Sequence, residues 1–137
     1  MSNPILVTGS AGFIGFHLCQ RLLSQGFNII GLDAMTDYYD VSLKEKRLNL
    51  LKAHDAFTPV AARLETPYVM ENLLAAHQPS MIVHLAAQAG VRYSIDEPRS
   101  YVQSNINGTF ELLEAARNHT PKHLLIASTS SVYGANI

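Results

Sequence analysis

Short apolar runs alternate with stretches of helical periodicity along the whole chain. The runs are typical of buried strands, whereas apolar residues three or four positions apart are typical of amphipathic helices. The runs predict five strands, at Ile5–Thr8, Phe27–Leu32, Thr58–Leu64, Met81–Leu85 and Leu124–Ser128. The helical stretches predict four helices, at Phe13–Ser24, Ser42–His54, Pro67–Ala76 and Pro98–Asn118. Serine is a favourable N-cap, so Ser42 is expected to cap the second helix.

This alternation predicts a parallel sheet with helices on both faces, because right-handed crossovers connect successive strands. We therefore expect an α/β, Rossmann-type doubly wound sheet with strand order 3-2-1-4-5, in one domain over residues 1–137. In such a sheet the ligand lies beyond the carboxyl ends of the strands, where the strand order reverses. The segments TGSAGFIG and HLAAQAG meet at that point.

Three glycines, Gly9, Gly12 and Gly15, separate the first strand from the first helix. Gly9 would permit a sharp turn, Gly12 a close approach of a pyrophosphate, and Gly15 tight packing of the helix on the sheet. Amides at the helix start would face the phosphates. No Gly-Lys-Ser/Thr follows, which excludes a P-loop. The alternative is that the glycines serve packing alone.

Asp33 ends the second predicted strand, 18 residues after Gly15. An acid at this place would accept hydrogen bonds from ribose hydroxyls, and its charge would repel a 2′-phosphate. The motif as a whole therefore predicts NAD rather than NADP as the cofactor. Alternatively, Asp33 only caps the following segment.

Composition narrows the class of protein. The chain has 137 residues, 47% of them hydrophobic, a net charge of −1 and one cysteine, Cys19. These values predict a compact soluble core without an intramolecular disulfide, which suits the cytoplasm. No apolar run reaches the roughly 20 residues that cross a bilayer, and 10 basic against 11 acidic residues do not favour a nucleic-acid surface. We expect neither a membrane nor a nucleic-acid partner.

The six histidines show no ligand spacing supported by nearby acids or cysteines, so no metal site is expected. His84 stands at a predicted strand end. It is interpreted as a hydrogen-bonded core residue rather than as a base or a ligand.

Five segments of the chain resemble a known family: VTGSAGFIGFHL, GLDAMTDYYDVSLKEKRL, VHLAAQAGVRYSIDEP, SNINGTFELLEAAR and ASTSSVYG. They are similar to the first half of the extended short-chain dehydrogenase/reductase family, and within it to UDP-glucuronate 4-epimerases. The resemblance implies an NAD-dependent nucleotide-sugar 4-epimerase, which oxidises C4 of a UDP-sugar transiently to a 4-keto sugar and reduces it again. In that case the chain is the NAD-binding part of a larger enzyme.

The resemblance also implies further cofactor contacts. Phe13 and Ile14 would present their backbone to the pyrophosphate, and Asn105 would face the cofactor from the long helix. The remaining implied contacts follow the third, fourth and fifth predicted strands: Leu64, Leu85, Ala86, Ala87 and Ser128. A buried helical asparagine needs a hydrogen-bond partner, which agrees with a cofactor contact for Asn105. A solvent-facing asparagine is the alternative.

On the substrate side, Thr129 matches the family's Ser/Thr that binds the sugar 4-hydroxyl. Hydroxyl groups at strand ends also cap loops, which is the alternative interpretation. Arg92 could hold a sugar carboxylate with two parallel hydrogen bonds, and Tyr93 and Ser94 would line the same cleft. A solvated loop arginine is the alternative for Arg92.

The chain departs from the family pattern after the third strand, where Arg63 and Leu64 replace the usual Asp-Leu or Asp-Ile pair. Arg63 offers no acceptor to an adenine amino group, so adenine binding is expected to be weaker or to use Glu65 instead. A solvent-facing arginine without a role is the alternative. Tyr133 is not the family's catalytic tyrosine, which stands in a Tyr-x-x-x-Lys helix. The sequence contains no such motif, so this chain alone is not expected to epimerise.

Two predicted helices carry an apolar stripe. Ile14, Leu18 and Leu22 form the stripe of the first. The stripe of the long helix consists of Val102, Ile106, Phe110, Leu113 and Ala116. By resemblance, the face of helix 98–118 implies a homodimer. The alternatives to an epimerase are a nucleotide-sugar dehydratase, decarboxylase or reductase, or a noncatalytic NAD-binding module. A 4,6-dehydratase needs an acidic pair beside its hydroxyl residue, and the segment STSS contains no such pair.

Overall fold

The computed structural model describes residues 3–135. Its strands are β1 Ile5–Thr8, β2 Ile29–Asp33, β3 Phe57–Ala61, β4 Met81–His84 and β5 His123–Ile126. Its α-helices are α1 Phe13–Ser24, α2 Val41–Lys52, α3 Val69–His77, α4 Tyr93–Asp96, α5 Pro98–Tyr101 and α6 Gly108–Asn118. A π-helical segment, Val102–Asn107, joins α5 to α6, and a 3₁₀ turn, Ser130–Tyr133, follows β5.

All strand pairs of the sheet are parallel, and the order is β3-β2-β1-β4-β5. This confirms the predicted fold class and strand order. In the register, Thr8 at the end of β1 lies beside Leu32 on one side and His84 on the other. The strand order therefore reverses at β1, and the carboxyl ends of β2, β1 and β4 border the same cleft.

Alternation along the strands divides the core between the two faces of the sheet. On one face Leu6, Ile30 and Ile82 pack against α3 and α6, and on the other Ile5, Val7 and Ile29 pack against α1 and α2. Cys19 lies in the second cluster, where burial raises the pKa of its thiol to about 12. The sole cysteine is thus an unreactive packing residue.

The first two helices differ in detail from the sequence predictions. The buried residues of α1 are Gly15, Phe16, Cys19 and Leu23, and Leu18 and Leu22 of the predicted stripe pack against them while partly buried. Ile14 is 67% exposed, so its place in the stripe was wrong. The N-cap of α2 is Asp40 rather than Ser42, and the Asp40 carboxylate accepts a hydrogen bond from the Ser42 amide at 2.9 Å. Hydrogen bonding to the side chain and to the amide of Ser42 lowers the pKa of Asp40.

The predicted long helix is interrupted. The π-helical segment lies between α5 and α6, and its wider turns rotate the two parts relative to each other. The inward face of α6 consists of Gly108, Leu112, Ala115 and Ala116. Ala116 therefore does not belong to the predicted stripe, whose other members, Val102, Ile106, Phe110 and Leu113, are 45–63% exposed.

Candidate functional site

A cavity of about 200 Å³ lies beyond the carboxyl ends of β1, β2 and β4, at the reversal of strand order. Seven residues predicted from the sequence line it: Gly9, Gly12, Asp33, Leu64, Leu85, Ala86 and Ala87. The cavity joins the glycine turn to the segment after β4, which is the arrangement expected of a nucleotide-binding cleft in an open parallel sheet.

The three glycines of the turn have different surroundings. Gly9 has a φ of +73°, and a Cβ there would lie 3.0 Å from the Ala86 nitrogen. A Cβ on Gly15 would lie 2.0 Å from the Gly9 carbonyl oxygen, so the fold itself excludes a side chain at this position. For Gly12 the corresponding contact is a single one, the Gly9 oxygen at 3.2 Å, among the described residues. Packing therefore requires glycine most strongly at 9 and 15, and a side chain at 12 would meet a single tight contact beside the cavity that Gly12 lines.

The Asp33 carboxylate connects β2 to the glycine turn. One oxygen accepts a hydrogen bond from the Ala11 amide at 2.9 Å, and the other accepts one from the Met35 amide at 2.8 Å. Asp33 is 9% exposed and lines the cavity. Because each carboxylate oxygen has a second acceptor position, both can also accept hydroxyl protons of a ligand.

Lys44 is a cavity residue that the sequence analysis missed. It is 6% exposed, and its Nζ donates to the Thr36 carbonyl oxygen at 2.9 Å and to Thr36 Oγ1 at 3.1 Å. The ammonium lies 4.8 Å from the centre of the Tyr39 ring, and in residues 3–135 it has no carboxylate within 4 Å. A buried cation thus lines the same cavity as the Asp33 carboxylate.

The departure at residues 63–65 is arranged as an ion pair. Arg63 Nη1 lies 3.2 Å from Glu65 Oε1, with the arginine side chain 57% exposed and the glutamate side chain 17% exposed. Glu65 lines the cavity beside the buried Leu64. The acidic partner therefore faces the cavity and the arginine faces outward.

The GDP-mannose 4,6 dehydratase family model matches residues 6–136. The chain belongs to this family.

Relatives in this family include a probable UDP-glucuronate 4-epimerase from Rhizobium meliloti (strain 1021), which is 50% identical over 131 residues. The match covers 96% of this chain and 38% of the relative. Protein CapI from Staphylococcus aureus is 49% identical over 132 residues, covering 96% of this chain and 39% of CapI. The chain thus spans about two fifths of the length of these relatives.

Solved structures agree with the family assignment. The UDP-glucuronic acid 4-epimerase from Bacillus cereus, in complex with UDP-glucuronic acid and NAD, has a TM-score of 0.89 at 35% identity, covering 98% of this chain and 42% of the epimerase. DesIV, a dTDP-glucose 4,6-dehydratase from Streptomyces venezuelae with NAD and TYD bound, has a TM-score of 0.84 at 28% identity. The match covers 98% of this chain and 42% of DesIV. The resemblance to UDP-glucuronate 4-epimerases inferred from the sequence is confirmed.

The Asn105 side chain is part-buried and hydrogen-bonded, and its contact with the cofactor stays a prediction. Its Oδ1 accepts a hydrogen bond from the Gln88 amide at 2.8 Å, and its Nδ2 donates to the Gln88 carbonyl oxygen at 3.0 Å. The side chain is therefore neither solvent-facing nor part of the cavity lining, whereas the preceding Ser104 does line the cavity. Asn105 holds the segment after β4 in place.

The remaining residues singled out by the family resemblance do not line the cavity in the described part of the chain: Phe13, Ile14, Arg92, Tyr93, Ser94, Ser128 and Thr129. Phe13 and Ile14 are 66% and 67% exposed at the start of α1. Thr129 Oγ1 accepts a hydrogen bond from the Ser131 amide at 3.2 Å and so caps the 3₁₀ turn. Arg92 is exposed, and the Tyr93 ring lies 4.8 Å from the Tyr38 ring.

Residues 3–135 contain neither a candidate metal centre nor a candidate membrane span. No group of three or more His, Cys, Asp or Glu side chains in that range is arranged to hold a metal ion. None of the helices in the same range is both long enough and apolar enough to cross a membrane.

Proposed function

We propose that this chain is the NAD-binding part of a UDP-glucuronate 4-epimerase. The observation that carries this proposal is the glycine turn, in which Gly9 and Gly12 line the cavity together with the Asp33 carboxylate. Relatives that are about 50% identical include a probable UDP-glucuronate 4-epimerase, and the Bacillus cereus enzyme of that activity has the same fold.

The residues of the cavity fit NAD. The absence of a Cβ at Gly12 would let a pyrophosphate approach the backbone, and within residues 3–135 no side chain caps the first turn of α1. Free amides at a helix start favour bound phosphate. The acceptor positions of Asp33 would hold the ribose hydroxyls, and its charge disfavours a 2′-phosphate. When bound, NAD would supply hydride transfer at C4 of the sugar.

The substrate side of the proposal rests on residues outside the cavity lining. Thr129 and Ser128 follow β5, so they stand at the same edge of the sheet as the cavity. We assign Thr129 to the sugar 4-hydroxyl, Ser128 to the nicotinamide side, and Arg92 with Tyr93 and Ser94 to the sugar carboxylate. An unassisted threonine hydroxyl has too high a pKa to act as the general base, so Thr129 would orient the 4-hydroxyl rather than remove its proton.

The exposed apolar face of residues 98–118 supports a homodimer. Val102, Ile106, Phe110 and Leu113 point away from the core, and contiguous exposed apolar surface commonly marks an interface. The reduced, buried Cys19 suits the cytoplasm, which we propose as the location.

A 4,6-dehydratase is the second candidate, favoured by the family description and by the fold of DesIV. Among the solved structures, the identity of 35% with the Bacillus cereus epimerase against 28% with DesIV favours the epimerase.

Calorimetric titration with NAD and NADP tests the proposal. The wild type is expected to bind NAD at least about tenfold more tightly than NADP, because the Asp33 carboxylate meets the 2′-phosphate. Asp33→Asn, which keeps the shape of the side chain, is expected to weaken NAD binding and to reduce this ratio. Asp37→Asn, an exposed acid in the same loop, is the matched control. Equal affinities of the wild type for the two cofactors would contradict the role of Asp33.

A further inference from the structure

Thr8, at the end of β1, gathers three hydrogen-bond partners on one hydroxyl. Thr8 Oγ1 lies 2.8 Å from His84 Nδ1 and 3.1 Å from the amide nitrogens of both Leu85 and Ala86. The Leu85 amide is also 3.3 Å from the Thr8 carbonyl oxygen, the longer of its two contacts. Thr8 and His84 are 0% and 4% exposed, so water does not compete for these groups.

The chemistry of the hydroxyl fixes the direction of each bond. A threonine hydroxyl has one hydrogen to donate and two lone pairs to accept with, whereas a backbone amide can only donate. The amides of Leu85 and Ala86 therefore occupy the lone pairs, and the hydroxyl hydrogen is left for His84 Nδ1. A nitrogen that accepts a hydrogen bond carries no proton, so in the neutral ring the proton is on Nε2. His84 Nε2 lies 3.3 Å from Thr109 Oγ1 at the start of α6.

We propose that Thr8 and His84 are positioning residues that fix the wall of the cavity formed by Leu85, Ala86 and Ala87, with His84 held as the neutral Nε2-protonated tautomer between Thr8 and Thr109. The part that concerns the cofactor rests on the proposed function. Burial lowers the pKa of His84, which agrees with a neutral ring.

The wall needs such a tether because its own side chains are small. Ala86 lies against the glycine turn, since its nitrogen would be 3.0 Å from a Cβ on Gly9. The other end of the segment is clamped at Gln88 by the two hydrogen bonds from Asn105. Thr8 holds the first end, so the backbone between is fixed at both ends and presents a preorganised surface to a ligand.

The first experiment is long-range ¹H–¹⁵N NMR of the wild-type protein at neutral pH, which identifies the protonated nitrogen of His84. A proton on Nε2 is expected. A proton on Nδ1 would overturn the proposed direction of the hydrogen bonds, because Nδ1 would then donate to Thr8.

The second experiment compares Thr8→Val, which removes the hydroxyl, with Thr8→Ser, which keeps it. Thr8→Val leaves the Ala86 amide and His84 Nδ1 without the hydroxyl. It is expected to accelerate hydrogen exchange of the Ala86 amide and to raise the Kd for NAD about tenfold. Thr8→Ser should restore both to near wild-type values. Thr58→Val, at an exposed threonine of β3, is the control for the substitution itself.

The outcomes separate this inference from the proposed function. If Thr8→Val is folded and accelerates Ala86 exchange but binds NAD as tightly as the wild type, the tether does not position the cofactor wall. If the wild type fails to bind NAD at all, the proposed function fails together with the cofactor part of the inference. In that case the His84 tautomer and the Ala86 exchange rate still decide whether the Thr8–His84 tether exists.

Discussion

The β1–β2 region and the β5 edge, which we define as residues 123–135, are built in opposite ways. Every residue of β1 and β2 is buried, whereas in β5 Leu125 and Ile126 are 47% and 41% exposed. The glycine turn and Asp33, assigned to the cofactor, stand at the ends of the buried strands, whereas Thr129, assigned to the substrate, follows the exposed one. Packing within this chain therefore fixes the cofactor half of the site much more firmly than the substrate half.

Truncation of one leucine in each region is expected to give the largest difference in the free energy of unfolding. Leu6→Ala, at a fully buried position in β1, is expected to lower the free energy of unfolding by about 3 kcal/mol, from lost burial and the cavity left behind. Leu125→Ala in β5 is expected to lower it by about 1 kcal/mol or less, because the side chain is already half exposed. Urea denaturation followed by circular dichroism measures both.

Equal losses for the two variants would contradict the contrast between the regions. The m-value is the control, since an unchanged slope shows that the variants unfold over the same transition as the wild type.

Two glycines of the turn are expected to respond differently to substitution within the cofactor half. Gly15→Ala places a Cβ 2.0 Å from the Gly9 oxygen, so the helix must move, at an expected cost of about 2 kcal/mol. Gly12→Ala meets one oxygen at 3.2 Å and is expected to cost about 0.5 kcal/mol. The NAD affinity should nevertheless fall in Gly12→Ala, because the new methyl group occupies space in the cavity.

Thermal unfolding and NAD titration of the same two variants separate packing from binding. A Gly12→Ala protein with full stability and unchanged NAD affinity would show that Gly12 serves neither purpose.

Much of the fold was predictable because it depends on local pattern. The buried apolar runs around Leu6, Ile30 and Ile82 predicted β1, β2 and β4, and the alternation with helices then predicted the strand order. The glycine turn and Asp33 were also evident, because their spacing along the chain follows from the geometry of one strand–turn–helix unit.

Other features depend on contacts that no spacing reports. Asn105 bonds to Gln88, and the intervening residues give no signal for that pair. Lys44 is buried although lysines are almost always exposed, because the Thr36 oxygens accept its hydrogen bonds. The π-helical segment at residues 102–107 contains no residue type from which the sequence pattern could have predicted it. These tertiary contacts fix the position of the cavity wall. The sequence therefore predicted the residues that line the cavity better than the contacts that hold them in place.

The smallest effect is expected on the surface between α3 and α6, outside both regions compared above. Glu71 accepts hydrogen bonds from His119 at 2.7 Å and from Asn118 at 3.2 Å, and these lower the pKa of its carboxyl. The folded state then binds fewer protons than the unfolded state at acidic pH, so the stabilisation is present above the ordinary glutamate pKa and is lost as the pH falls through the lowered one. Glu71→Gln should therefore flatten the dependence of stability on pH between about pH 5 and pH 3.

Urea titrations at several pH values measure this slope, with Glu45→Gln on the exposed face of α2 as the control for removing one carboxylate. A slope identical to that of the wild type would mean that the contact between α3 and α6 does not distinguish the ionised from the protonated Glu71, and that apolar packing alone joins these helices.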